Sequence, residues 1–163
     1  MKDFDKNGLR LAEFQGQLFE DSAKRRKYSS PVFMRRFYYS DLLKILDLND
    51  IAFLEFDVEE GLEAIDQEYG NSTYGKEKYS PEVMFWIGYL YRYIAYTREC
   101  RTKNIMKLFP YRKLKSLYMV YHTQDPEWCI NRLLALYHLD ERIFDNNWRL
   151  KEAMKDYYST ISK

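Results

Sequence analysis

Residues 83–97, VMFWIGYLYRYIAYT, constrain the fold more than any other part of the chain. Val83, Ile87, Leu90 and Ile94 recur at the spacing of one helical face, and Trp86, Tyr89, Tyr93 and Tyr96 make a second stripe beside it. A helix apolar over that much of its circumference needs neighbours on several sides, so the remaining chain is expected to wrap it. A membrane is the other environment that suits such a helix. This run is shorter than the roughly 20 residues a span needs, and it carries Arg92. Its tyrosines suit a core helix whose hydroxyls reach polar partners at the edge.

The flanking sequence also reads as helices. Leu11, Phe14 and Leu18 define one from about Gly8 to Lys24. Ser30-Pro31, Ser80-Pro81 and Asp125-Pro126 are three starts in which an oxygen-bearing cap precedes a proline in the first turn. The helix after Ser30-Pro31 is expected to carry Phe33, Phe37 and Leu43 or Leu46 on one face. Asp57 with Glu60 resembles a capping box, and Gly70 is the natural stop of that helix. Residues 51–56 predict an extended linker or a helical turn, and residues 71–76 a loop. Thr102 is expected to cap a short helix ending before Pro110. Further helices are expected from about Tyr111 to His122, after Asp125-Pro126, and from about Asn147 to Tyr158. With 6 Gly and 4 Pro in 163 residues, long loops and turn-rich β folds are disfavoured. The expectation is all-α: one compact domain over residues 1–163, of seven or eight helices around a central Tyr/Trp-rich helix.

Charge is segregated although the formal net charge is only +1. Residues 41–68 hold ten acidic side chains and one basic, Lys44; residues 92–115 hold eight basic and one acidic, Glu99. A smaller basic knot comprises residues 24–27 with Arg35 and Arg36. Such runs either pair with one another across the fold or present a binding surface. Read as a surface, Glu59, Glu60 and Glu63 would meet a basic partner. Arg98, Arg101, Lys103, Lys107, Arg112, Lys113 and Lys115 would meet DNA phosphates from a helix–turn–helix outline centred on Pro110.

Catalytic patterns are sparse. There is no glycine-rich phosphate loop. Cys100, His122, Cys129 and His138 lie 22, 7 and 9 residues apart, which matches no zinc module. Neither a metal nor a cofactor is expected. Two cysteines suit a reducing compartment, and the polar start has no secretory signal, so a cytoplasmic location is expected. His122 with Cys129, oriented by Asp125 or Gln124, could form a nucleophile–base pair. The same residues also serve to close one helix and cap the next, which is the preferred reading.

Tyrosine is the compositional signal: 16 Tyr accompany 3 Trp and 10 Phe. Trp86, Tyr89 and Tyr93 are expected in the core. Tyr38, Tyr39, Tyr74, Tyr79, Tyr111, Tyr157 and Tyr158, near helix ends or loops, are candidate contact residues.

Several stretches carry a likeness beyond composition. They are Arg10-Leu11-Ala12-Glu13-Phe14-Gln15-Gly16, Tyr74-Gly75-Lys76, Tyr79-Ser80-Pro81-Glu82, residues 86–93, Tyr96-Thr97-Arg98-Glu99 and residues 121–129. Together they resemble a group of small bacterial proteins labelled as antitoxins and encoded beside a toxin gene, and the likeness spans most of the chain. It carries no catalytic motif. It implies a non-enzymatic protein that binds and neutralises a cognate toxin, and it leaves room for repression of the operon. Antitoxins often wrap the toxin with a disordered tail; the short polar end here, residues 159–163, implies a folded surface instead.

Three functional readings follow. The first is an antitoxin-like protein-interaction module, with Glu59, Glu60, Glu63, Tyr74 and Tyr79 as contacts. The second is a helical DNA-binding regulator. The third is a small enzyme using His122 with Cys129 or Asp125. No membrane partner is expected, and homo-oligomerisation is left open.

Overall fold

The computed structural model describes residues 1–145, 157 and 159–162. They are all-helical: α1 (Lys6–Arg25), α2 (Ser30–Tyr39), α3 (Asp41–Leu46), α4 (Val58–Tyr69), α5 (Pro81–Arg98), α6 (Thr102–Leu108), α7 (Tyr111–Tyr121) and α8 (Pro126–Leu136), with 3-10 turns at Ile51–Phe53 and Glu141–Phe144. The helix expected over 147–158 lies almost wholly outside the described residues. Among those residues, no helix is long and apolar enough to cross a membrane.

α5 is the central element of one domain. Met84, Ile87, Leu90, Tyr91, Ile94, Ala95 and Tyr96 are all buried. Its tyrosine hydroxyls find partners as their rings go under. Tyr91 donates to Phe109 O at 2.6 Å, Tyr93 to Glu127 Oε1 at 2.7 Å and Tyr96 to Asp5 Oδ1 at 2.7 Å. Trp86 and Tyr89 are half-buried: they pack against the core and also form the wall of a surface groove.

α1 lies along α5 with almost no space between backbones. A Cβ on Gly88 would stand 2.7 Å from both Gln15 O and Phe19 Cγ. Gln15 Nε2 donates to Gly88 O at 2.8 Å, so the close approach also satisfies a buried side-chain amide.

Arg92 is fully buried on α5. Its Nε donates to Gln15 Oε1 at 3.0 Å. One terminal nitrogen donates to Leu46 O, Asp47 Oδ1 and Asn49 Oδ1 at 2.9, 3.0 and 3.1 Å, and the other to Thr102 Oγ1 at 3.0 Å. Burial pulls the Arg92 pKa below its ordinary value, and Asp47 opposes that shift. Asn49 sits at φ 56, a left-handed conformation that asparagine tolerates better than most residues. This single cation therefore ties α1, the end of α3 and the start of α6 to the central helix.

Local signals place most helix ends. Asp57, Ser80 and Asp125 accept backbone N–H groups of the first turns of α4, α5 and α8. Gly70 ends α4 at φ 80. Three details differ from the sequence reading. The cap of α2 is Ser29, whose oxygen accepts from Val32 N, while Ser30 is already helical. The helix expected to run on to Leu43 or Leu46 breaks at Ser40, which accepts from Leu43 N and starts α3. Thr102 does not cap α6; its hydroxyl donates to Asp47 at 2.6 Å within the Arg92 network. Residues 51–53 form a 3-10 turn, one of the two alternatives expected there.

Candidate binding surfaces

The acidic segment is partly neutralised from within, chiefly by the basic knot rather than by residues 92–115. Glu59 pairs with Arg25 at 3.2 Å and Arg26 at 3.1 Å; Asp66 pairs with Arg26 at 2.6 Å and Arg36 at 3.3 Å. Tyr28 adds a hydroxyl bond to Asp66 at 2.8 Å, and the Arg36 guanidinium lies 4.5 Å from the Tyr28 ring. Between the two large charge runs, the ion pair formed is Arg92–Asp47. Glu59 is thus committed to the contact of α4 with the end of α1, and the Arg26 guanidinium holds its carboxyl below the usual range. Glu60 and Glu63 point to solvent.

The basic run is also reorganised. Arg98 has a side chain only 3% exposed and grips Glu127 with two bonds of 2.7 Å and Glu141 with two, of 2.7 and 3.3 Å. It locks the start of α8 to the end of α5 and is not free for phosphates, which corrects the nucleic-acid set. Arg112 pairs with Glu77 at 3.3 Å, an exposed contact worth little. Arg101, Lys107, Lys113 and Lys115 are exposed. The Lys103 Nζ lies 5.2 and 5.4 Å from the Tyr38 and Tyr39 rings, and the Lys115 Nζ lies 4.5 Å from the Tyr79 ring.

Tyr74 and Tyr79 share one loop and have opposite fates. Tyr74 is 77% exposed; Tyr79 is 3% exposed, with its ring 6.1 Å from Tyr111. Tyr79 is therefore a core residue, not a contact residue. The difference comes from how the loop is fastened. Ser29 N donates to Tyr74 O at 3.0 Å, Ser30 N to Glu77 O at 2.9 Å, and Tyr79 N to Ser30 Oγ at 2.9 Å. Loop carbonyls thus take the N–H groups of the cap Ser29 and of Ser30, while the Val32 N–H goes to Ser29 Oγ, which accounts for the N–H groups at this helix start that lack helical acceptors. Gly75, at φ 82, passes so close that a Cβ would clash with the Ser29 side chain. Tyr74 is an exposed ring on a tethered backbone.

Around it lies an open groove of about 580 Å³, lined by Pro31, Val32, Arg35, Arg36, Tyr39, Tyr69, Tyr74 and Tyr111. A smaller one of about 200 Å³ adjoins it through Pro31, Arg35, Tyr39 and Tyr111 and adds Tyr38, Met106 and Lys107. Tyr39 is 56% exposed, and Arg35 is exposed beside it. The face combines rigid rings with cations. Lys107, named from the sequence as a nucleic-acid contact, lines the smaller groove. Arg35 was legible only as part of a basic knot, because the surface forms when α2 meets the 70–80 loop and the start of α7.

His122 and Cys129 are not joined as a reacting pair. His122 is exposed, its ring stacked on Tyr118 at 4.2 Å and its Nδ1 2.7 Å from Tyr118 O. The buried Cys129 thiol donates to Tyr121 O at 3.3 Å, and burial pushes its pKa up to about 11. Cys100 is pushed to about 12, also by burial. Asp125 is occupied as the cap of α8. Among the described residues no group of His, Cys, Asp and Glu side chains is arranged to hold a metal.

No protein-family model matches this chain, and no curated protein or solved structure is recognisably similar to it. What the chain binds must be argued from its own surfaces.

Proposed function

We propose that the chain is a protein-interaction module of the antitoxin kind, which holds a cognate toxin against the tyrosine–arginine face. The observation that carries this reading is the exposure of Tyr39 and Tyr74 beside Arg35 on a backbone fastened by the Ser29 and Ser30 hydrogen bonds. Tyrosine and arginine are the residue types that dominate interface energetics. A ring carried on a pre-ordered backbone spares the cost of ordering the loop on binding. The toxin surface it suits is acidic, since Arg35 and Lys107 line the face. In this reading the chain binds without turnover, and the polar cluster at residues 122–125 serves the α7–α8 junction.

Co-expression with the product of the adjacent gene tests it. Growth arrest caused by that product should be relieved by this chain, and the two should co-purify. Arrest that persists with the chain present and folded would remove the antitoxin reading. A second reading, nucleic-acid binding, is favoured by Lys103 lying against both Tyr38 and Tyr39, because rings on which bases can stack, beside a cation for the phosphates, also suit a single strand.

A further inference from the structure

A second groove, sharing no lining residue with the tyrosine–arginine face, has the opposite electrostatic character. It is an open cleft of about 520 Å³ between α1, α5, α7 and the start of α8. Its walls are Phe85, Trp86, Tyr89 and Tyr118. Trp86 meets Tyr118 edge-on at 5.8 Å, and Phe85 stacks on Tyr89 at 6.0 Å. Glu20, Glu82, His122 and Gln124 supply its polar atoms, and neither lysine nor arginine lines it.

Each of these groups can accept a hydrogen bond. A carbonyl oxygen only accepts, so the 2.7 Å contact with Tyr118 O puts a proton on His122 Nδ1. In the tautomer with that proton on Nδ1, Nε2 is the acceptor. Glu82 is exposed at the start of α5. Glu20 pairs with Lys24 at 3.1 Å, an i,i+4 contact in which the lysine is half exposed and readily exchanged. Burial raises the Tyr89 hydroxyl pKa, and the charges of Glu13 and Asp125 push it the same way, extending the negative field.

We propose that this groove binds the guanidinium of an arginine side chain displayed by a partner protein. Guanidinium is planar, weakly hydrated and rich in donors. It stacks on aromatic faces while its edge reaches carboxylates, which a compact ammonium cannot do as well. The open shape admits a side chain projecting from a larger surface. The proposal does not depend on what occupies the tyrosine–arginine face.

The two histidines supply the readout, because His122 lines the groove and His138 does not. A capped Gly-Arg-Gly peptide titrated into the full chain should move the His122 ring signals saturably in an NMR spectrum and leave those of His138 in place. A dissociation constant on the order of 1 mM is expected for so small a ligand. The citrulline analogue, neutral and of the same shape, should produce no saturable shift. The Gly-Lys-Gly peptide should bind at least about threefold more weakly than the arginine peptide. Glu20→Gln with Glu82→Gln should weaken the arginine peptide by about fivefold or more with the fold retained. Equal shifts with citrulline, equal affinity for lysine, or no His122 shift would each overturn the proposal. Tighter binding of free L-arginine than of the capped peptide would assign the groove to a small molecule and overturn the partner-protein source.

Discussion

Arg92→Met is expected to destabilise the protein by about 3–5 kcal/mol, the range for removing one partner from a buried ion pair. Methionine fills much of the same volume, so packing loss is not the main cause. The cost arises because Gln15 Oε1, Leu46 O, Asp47, Asn49 Oδ1 and Thr102 Oγ1 lose a common donor at once. Thr102 still donates to Asp47 at 2.6 Å, but no cation remains beside that carboxylate. Arg92→Lys should recover little, since one ammonium cannot reproduce the planar fork that serves three sides. Thermal and urea unfolding measure both variants. At about 2–4 °C per kcal/mol for a chain of this size, a fall in Tm of roughly 10 °C is expected. A loss below about 1 kcal/mol for Arg92→Met would mean that the network is not the tie the distances describe.

Gly88→Ala should also destabilise, by about 2–3 kcal/mol, against the direction of helix propensity. At an exposed helix position the same change would stabilise by about 1 kcal/mol. Here the new methyl would stand 2.7 Å from Gln15 O, a backbone atom of α1 that cannot swing aside. The helices would have to separate. That would strain the Gln15–Gly88 bond and shift the Gln15 side chain that Arg92 uses. Denaturant titration decides the sign, and a neutral or stabilised variant would show that the α1–α5 contact is looser than described.

How far the sequence revealed this structure depends on how far apart the interacting residues lie. Ser80-Pro81, Asp57 with Glu60, and Asp125-Pro126 each act within one turn, and each starts a helix where expected. Ser40 escaped although Ser40-Asp41 interrupts the apolar face three and four residues after Phe37, because Leu42, Leu43 and Leu46 resume an apolar pattern directly behind it, and the cap bonds of Ser40 mark the break. Thr102 was misread because a cap and a buried network both use a hydroxyl. Its partner Asp47 is 55 residues away. Arg92 stood out as a charge in an apolar run, but its acceptor Gln15 is 77 residues away. The binding surfaces follow the same pattern. Tyr74 and Tyr79 look alike in sequence, and contacts with Ser29 and Ser30 leave one outside and bury the other. Arg98 looked like a phosphate contact until Glu127 and Glu141, distant in sequence, closed on it. Trp86 and Tyr89 have core spacing on α5, but α7 and the start of α8 leave a cleft beside them.

The central claim is that a folded tyrosine–arginine face holds the partner. Calorimetric titration of the purified adjacent-gene product into this chain and into its Arg35→Ala/Tyr39→Ala/Tyr74→Ala variant tests it most directly. All three side chains are exposed, so the variant should unfold within about 1–2 °C of the parent. Its affinity should fall by about 100-fold or more, as expected when a cluster of interface anchors is removed. An affinity within about twofold of the parent, with the fold intact, would contradict the assignment of this face as the binding surface.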